Sequence, residues 1–239
     1  KGISILTMAT VGKHVLAGTG LRVFAYDEKN KHLDQTLFRD LFDSLPKPRQ
    51  INLNNMVGYD DEHLWLVSEQ QVLSCRINNE RIEVLAKSPL FKSGLGLGLK
   101  VENHLYVSSG KGCLLRFEFG KPQPELIRIP RPYFDHETKL AKLNDGNILL
   151  FMRGMHLAVL SPDTGKIREM KVTDRPREGS LDPAFVKQDS YGFVWLGTKR
   201  DGLYLMNKEK THMRRINILN DAHIQALVED TKRQVWVTT

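Results

Sequence analysis

The feature that most constrains this chain is internal repetition, because a sequence that repeats every forty-odd residues can fold only as an array of like units. The segment Val194–Thr198, VWLGT, has the form apolar–Trp–apolar–Gly–Thr. The form returns as VLAGT around Leu16, LWLVS around Trp65, LYVSS around Tyr106 and VWVTT around Trp236, with a degenerate copy, ILLFM, around Leu149. These anchors, at positions 16, 65, 106, 149, 195 and 236, stand 49, 41, 43, 46 and 41 residues apart. A period of about 45 residues with strand-like content is the mark of a β-propeller blade.

The flanks repeat with the anchors. After each comes a small turn and a second apolar run: GLRVFAYD, VLSCRIN, GCLLRFEF, HLAVLSP, GLYLMN. A polar turn follows, then a further run such as RIEVLAK or ELIRIP. Another apolar segment precedes each anchor. Runs this short, alternating or β-branched and bounded by Gly, Asn, Asp and Pro, read as strands. Four per unit make an antiparallel blade that cannot bury both apolar faces alone, and stacking blades around an axis does so. The expected fold is therefore all-β, a propeller of four-stranded antiparallel blades. The blades run over about 1–50, 51–93, 94–136, 137–181 and 182–221, with a sixth begun at 222–239. The whole is one propeller domain, read as part of a seven-bladed ring. One or two helical turns are expected at LFRDLFDSL, Leu37–Leu45.

The segments VKQDSYGFVWLGTKRDGLYLMNKEKTHMRRI and HIQALVEDTKRQVWVTT resemble the two-component-regulator propeller repeat. The resemblance rests on Asp189, Gly192, Trp195, Gly197, Thr198, Gly202 and Leu203, then on Asp230, Trp236 and Thr238. The first unit matches in part, through Gly18, Thr19, Gly20 and Leu21, and the middle three share only the period. Such repeats occur in the periplasmic sensor regions of hybrid two-component histidine kinases of Bacteroidetes. The resemblance implies a periplasmic sensor of glycan fragments that signals across an inner membrane to regulate polysaccharide utilisation. It also implies neighbouring propeller and β-sandwich domains, a homodimer through the full ectodomain, and kinase, receiver and DNA-binding modules elsewhere in the parent chain. The alternative is a propeller enzyme similar to the streptogramin lyases.

Composition fits either reading. Hydrophobic residues make up 41% and charged residues 26%, as in an ordinary globular chain. No run of 18 apolar residues exists to span a membrane. The first residues lack a signal-peptide layout, and the last stop within a strand pattern, so the sequence reads as a piece of a longer protein. Cys75 and Cys113 lie in apolar runs and are expected to be free thiols, since a core this large needs no staple.

The repeat residues have structural explanations. Trp195 and its equivalents are expected between blades. Gly197 would allow close approach of the neighbouring sheet, Gly192 a turn with positive φ, and Asp189 and Asp230 capping of turn N–H groups. GTKRDGL joins two strands and lacks both the spacing of a phosphate loop and a following helix. SGLGLGLK, Ser93–Lys100, reads as a loop entering a blade. His14, His63 and His104 each stand two residues before an anchor, where equivalent turns diverge, so no metal site is expected. Nor is a cofactor or a catalytic residue: the acidic residues gather in turns between the first two strands of each blade, away from a shared central pocket.

Loops from strand four to the next strand one are long and varied, and they share a blade face with the turns between strands two and three. Loops on a rigid scaffold commonly carry binding. This face supplies Arg131, Tyr133, Arg153, Arg175, Arg177, Lys199 and Arg200 as candidate ligand-binding residues, with Lys47, Arg49, Lys92, Phe134 and His136 beside them. Arginine forks suit carboxylate or sulfate, and aromatic faces suit sugar rings. Lys plus Arg exceed Asp plus Glu, 35 against 28, for a net charge of +7. A basic face thus suggests an oligosaccharide ligand with acidic groups. Against this, surface loops are often basic without binding anything. Nucleic acid is not expected, since the charge is modest and no stacking platform shows.

Overall fold

The structure is a computed structural model. It describes residues 5–19, 23–27, 30–34, 53–78, 81–110, 112–129, 134–170, 182–219 and 222–239. The helical turn expected at 37–45 lies outside them. They contain no α-helix, only two single 3₁₀ turns, Arg153–Met155 and Asn217–Leu219.

Among the described residues, twenty-two strands form five four-stranded sheets and one two-stranded sheet. The first sheet is β1 (Thr7–Val11), β2 (His14–Gly18), β3 (Val23–Asp27) and β4 (His32–Asp34). The second is β5 (Leu53–Gly58), β6 (His63–Ser68), β7 (Val72–Asn78) and β8 (Arg81–Lys87). The third is β9 (Leu95–Val101), β10 (His104–Ser109), β11 (Cys113–Glu118) and β12 (Glu125–Arg128). The fourth is β13 (Lys139–Lys142), β14 (Ile148–Met152), β15 (His156–Leu160) and β16 (Ile167–Glu169). The fifth is β17 (Pro183–Gln188), β18 (Val194–Thr198), β19 (Leu203–Met206) and β20 (Met213–Arg215). β21 (Ala226–Glu229) pairs with β22 (Val235–Thr238). Strands adjacent in sequence are adjacent in each sheet, with antiparallel pairing. Every anchor falls in the second strand of its sheet.

The strand sequences follow their places. β6, HLWLVS, is buried on both faces after its first residue, hence its unbroken apolar run. β8, RIEVLAK, begins as an alternation of exposed and buried residues and keeps a charged residue at each end, the pattern of an outer strand with one wet face.

The chain divides into two compact units, 1–110 with 114–127, and 111–113 with 128–239. In the first, Leu16 and Val23 of the first sheet meet Leu64, Leu66 and Cys75 of the second. Trp65 and Val67, on the opposite face of β6, meet Leu105, Leu115 and Phe117 of the third. In the second unit, Leu149 and Phe151 meet Val194, Leu196 and Tyr204. The anchor position thus faces the following sheet, and its flanking residues face the preceding one. A fully buried aromatic such as Trp65 removes roughly 150–250 Å² from water, a gross gain of about 4–6 kcal/mol.

First strands of successive sheets lie side by side, β1 by β5 and β5 by β9, and in the second unit β13 by β17. Asn55 joins two of them: its Nδ2 donates to Gly98 O at 2.9 Å, and its Oδ1 accepts from Gly98 N at 2.9 Å. Asn54 Nδ2 donates to Leu95 O at 2.7 Å. Here the expectation for Ser93–Lys100 is corrected, since Leu95–Val101 is strand β9 and not a loop. Its glycines serve packing. A Cβ on Gly98 would stand 2.8 Å from Leu105 Cδ1 and 3.0 Å from Val67 Cγ2.

Candidate functional site

Asp189 and Trp195 account for each other. Asp189, 3% exposed, accepts from the backbone N–H of Tyr191 at 3.0 Å and of Phe193 at 2.9 Å through Oδ1. Its Oδ2 accepts from Trp195 Nε1 at 2.8 Å. Asp230 repeats the arrangement: Oδ1 accepts from Lys232 N and Gln234 N, and Oδ2 from Trp236 Nε1 at 3.0 Å. The capping role is as expected, and the bond to the indole is an addition. Gly192 has φ +91°, as its turn requires. Gly197 makes its close approach within its own sheet, not to the neighbouring one. It pairs with Phe185, whose ring carbons would stand as near as 2.1 Å to an added Cβ.

The second sheet breaks this rule. Tyr59 stands six residues before Trp65, where aspartate would be, and it packs edge-on at 5.1 Å from Trp65 and stacks at 4.5 Å on Phe119. Trp65 Nε1 is buried without a hydrogen-bond partner among the described residues. Burial pushes the Cys75 thiol far up, as suits a core residue, and neither cysteine forms a disulfide among the described residues.

At the opposite ends of the strands, in the second unit, loop residues converge. Arg153 sits on the 3₁₀ turn between β14 and β15. Its Nη2 donates to Glu137 Oε2, and its Nε stands 3.8 Å from Asp135 and 3.6 Å from Asp182. Lys199, just past β18, places Nζ 3.3 Å from Glu137 Oε1. Its backbone N–H donates to Asp182 O at 3.0 Å. The loop before β13 is folded to present these acids. Asp135 Oδ1 accepts from Glu137 N at 2.8 Å, and Thr138 Oγ1 accepts from Asp135 N at 3.2 Å. Hydrogen bonding from Arg153, reinforced by Lys199 against the cost of burial, holds the Glu137 carboxyl below its usual range.

Lys139 opens β13 beneath this group. Burial first, then the charge of Lys199, lowers its pKa, while Glu137 and Asp135 oppose the shift. Its ammonium makes no hydrogen bond among the described residues.

The candidate residues therefore divide. Arg153 and Lys199 come together, and Arg200 is exposed beside them. Arg131, Tyr133, Arg175 and Arg177 lie outside the described residues. Phe134 is 3% exposed and packs inward, so it offers no face to a sugar. Asp201 of the same turn is tied down, accepting from Arg215 Nη2 at 2.7 Å and from the Tyr204 hydroxyl. In the described part of the face, the cations do not stand alone. Its cations Arg153 and Lys199 are matched by Asp135, Glu137 and Asp182, which were not singled out although they lie within the loop segments DHET and LDP. Among the described residues no three His, Cys, Asp or Glu side chains group as metal ligands, and no helix is long and apolar enough to cross a membrane.

No protein-family model matches the chain, and no curated protein matches it in sequence. Solved structures do match. The extracellular domain of BT4673 from B. thetaiotaomicron, described as a one-component system, matches over 98% of this chain with TM-score 0.70 at 17% identity. That of BT3049 from the same organism, described as a hybrid two-component system, matches over 100% with TM-score 0.72 at 14% identity. Virginiamycin B lyase from Staphylococcus aureus matches over 98% of this chain and 77% of its own, with TM-score 0.73 at 10% identity. The WD40 β-propeller domain of Doa1 matches over 99% with TM-score 0.63 at 12% identity.

The fold is a β-propeller. Its repeats are four-stranded antiparallel blades, and its structural neighbours include extracellular domains of one- and two-component systems. The chain spans about a third of the length of those two domains, 32% and 33%.

Proposed function

We propose that this chain is a propeller segment, residues 1–239, of the periplasmic sensor region of a hybrid two-component histidine kinase. It senses glycan fragments and signals across the membrane to regulate polysaccharide utilisation. The observation that carries this reading is the likeness of nearly the whole chain to two extracellular domains of signalling systems, each through about a third of its length. The loop-end cluster around Arg153, Glu137 and Lys199 supports it, since it gathers hydrogen-bonding groups on a rigid scaffold. In this reading the ring is completed by further blades, the segment docks against other propeller and β-sandwich domains of the same chain, and the ectodomain dimerises.

The test uses the parent protein in membrane vesicles. Autophosphorylation should respond to fragments of one complex glycan presented on the ectodomain side. A parent chain lacking a kinase module, or one indifferent to every fragment, would overturn the reading. The match to virginiamycin B lyase supplies the alternative. Under that reading the protein consumes quinupristin, and under the sensor reading quinupristin is recovered intact.

A further inference from the structure

Every cation whose ion pairing is seen at the loop-end cluster already faces a carboxylate. Arg153 faces Glu137, Asp135 and Asp182, and Lys199 faces Glu137. With Lys139 close enough to feel their charges, these three cations meet three carboxylates, and Arg200 stands exposed beside them. Yet the hydrogen-bonding capacity is far from spent. A lysine ammonium has three N–H donors and a guanidinium five, and each carboxylate oxygen has two lone pairs. Lys199 uses one donor on Glu137, and Lys139 uses none among the described residues. Glu137 Oε1 and Oε2 accept one bond each from the described residues.

We infer that this cluster, formed by Arg153, Glu137, Lys199 and Lys139 with Asp135 and Asp182, binds the vicinal hydroxyls of a neutral sugar and discriminates against acidic ones. A hydroxyl donates one hydrogen bond and accepts others, so a pair of hydroxyls uses both halves of a cluster of paired charges. Carboxylate acceptors take the sugar O–H, while ammonium and guanidinium donors reach the sugar oxygen. A uronic acid or sulfate instead finds Arg153 and Lys199 already paired with carboxylates, so it gains little net attraction over water. The inference rests on the sensor reading and narrows its ligand class. It departs from the acidic ligand that the excess of basic residues suggests. Lys139 fits a ligand group better than a structural one. It makes no hydrogen bond among the described residues, and burial disfavours its charged form.

The experiment is titration calorimetry of the parent protein's complete ectodomain with xylohexaose, mannohexaose, cellohexaose and hexagalacturonate, using wild type, Lys139→Met and Glu137→Gln. A neutral hexasaccharide should bind, and each variant should weaken it about tenfold, the equivalent of one charge-assisted hydrogen bond. Lys139→Met should keep or raise the melting temperature, separating ligand contact from folding. Glu137→Gln leaves Lys199 without its carboxylate and Arg153 with only Asp135 and Asp182, and should raise affinity for hexagalacturonate several-fold. Binding confined to hexagalacturonate, or neutral binding that neither variant alters, overturns the inference while the sensor reading stands. Absence of binding to every neutral hexasaccharide also overturns it, and the sensor reading is then judged on the parent protein's phosphorylation alone.

Discussion

At the scale of single residues, Asp189 carries more than its turn. Three donors converge on its buried carboxylate, two from the backbone and one from the Trp195 indole. Removing a buried acceptor strands its donors, at about 1–3 kcal/mol or more for a charged group. Asp189→Ala should therefore cost about 2–4 kcal/mol in chemical denaturation. Trp195→Phe combined with it should cost less than the sum of the single changes, because both delete the same bond. Gly197→Ala should cost at least about 2 kcal/mol, since the Phe185 ring occupies the place of its Cβ. That penalty should shrink in a Phe185→Ala background. If it does not, the backbone of β18 rather than the ring sets the need for glycine. Glu137 gives a pH signature. Its folded pKa lies below the ordinary 4.5, held there by Arg153. Its contribution is therefore complete above that value and is lost as pH falls through the folded pKa. Stability curves of wild type and Glu137→Gln should run at a constant offset near neutrality and converge in acid.

At the scale of strands and sheets, the period placed every second strand. What each anchor does depends on the sheet packed against it. Trp65 faces the third sheet and is fully buried, whereas Trp236 is 62% exposed. Trp65→Ala should cost about 3–5 kcal/mol, and Trp236→Ala about 1 kcal/mol or less in this chain. Thermal or denaturant unfolding of the two variants checks the ranking, and equal losses would contradict the facing assigned here. What the sequence hid were relations between distant positions. Three glycines in SGLGLGLK suggested a loop, because the reason for Gly98 lies in Asn55, Val67 and Leu105. Gly197 was assigned to a neighbouring sheet when its partner stands across the same one. The Asp–Trp bond was missed although both residues were marked, since a six-residue separation across a turn does not reveal that the indole folds back. Tyr59 in the aspartate position of the second sheet shows how the bond can be replaced by aromatic stacking, at the cost of a Trp65 N–H without a partner among the described residues.

At the scale of the whole molecule, two ends of the blades divide the work. Turns between first and second strands hold the Asp–Trp clamps and stitch neighbouring sheets, as where Asn144 N–H donates to Gln188 Oε1 at 2.7 Å. The other ends bring loop charges together. The excess of 35 basic over 28 acidic residues was legible in the sequence, but its distribution was not. Glu137 and Asp182 reach Arg153 only after the fourth and fifth blades form. Net charge therefore does not report the local arrangement, in which Arg153 and Lys199 are paired with carboxylates. The claim at the centre of this account is that recognition belongs to that end of the blades. Hydrogen–deuterium exchange of the complete ectodomain with and without the neutral hexasaccharide that binds it tests this most directly. Protection is expected at residues 135–139, 153–155, 182 and 199–201. Protection confined to the turns between first and second strands, at 60–62, 144–146 and 190–192, would contradict it.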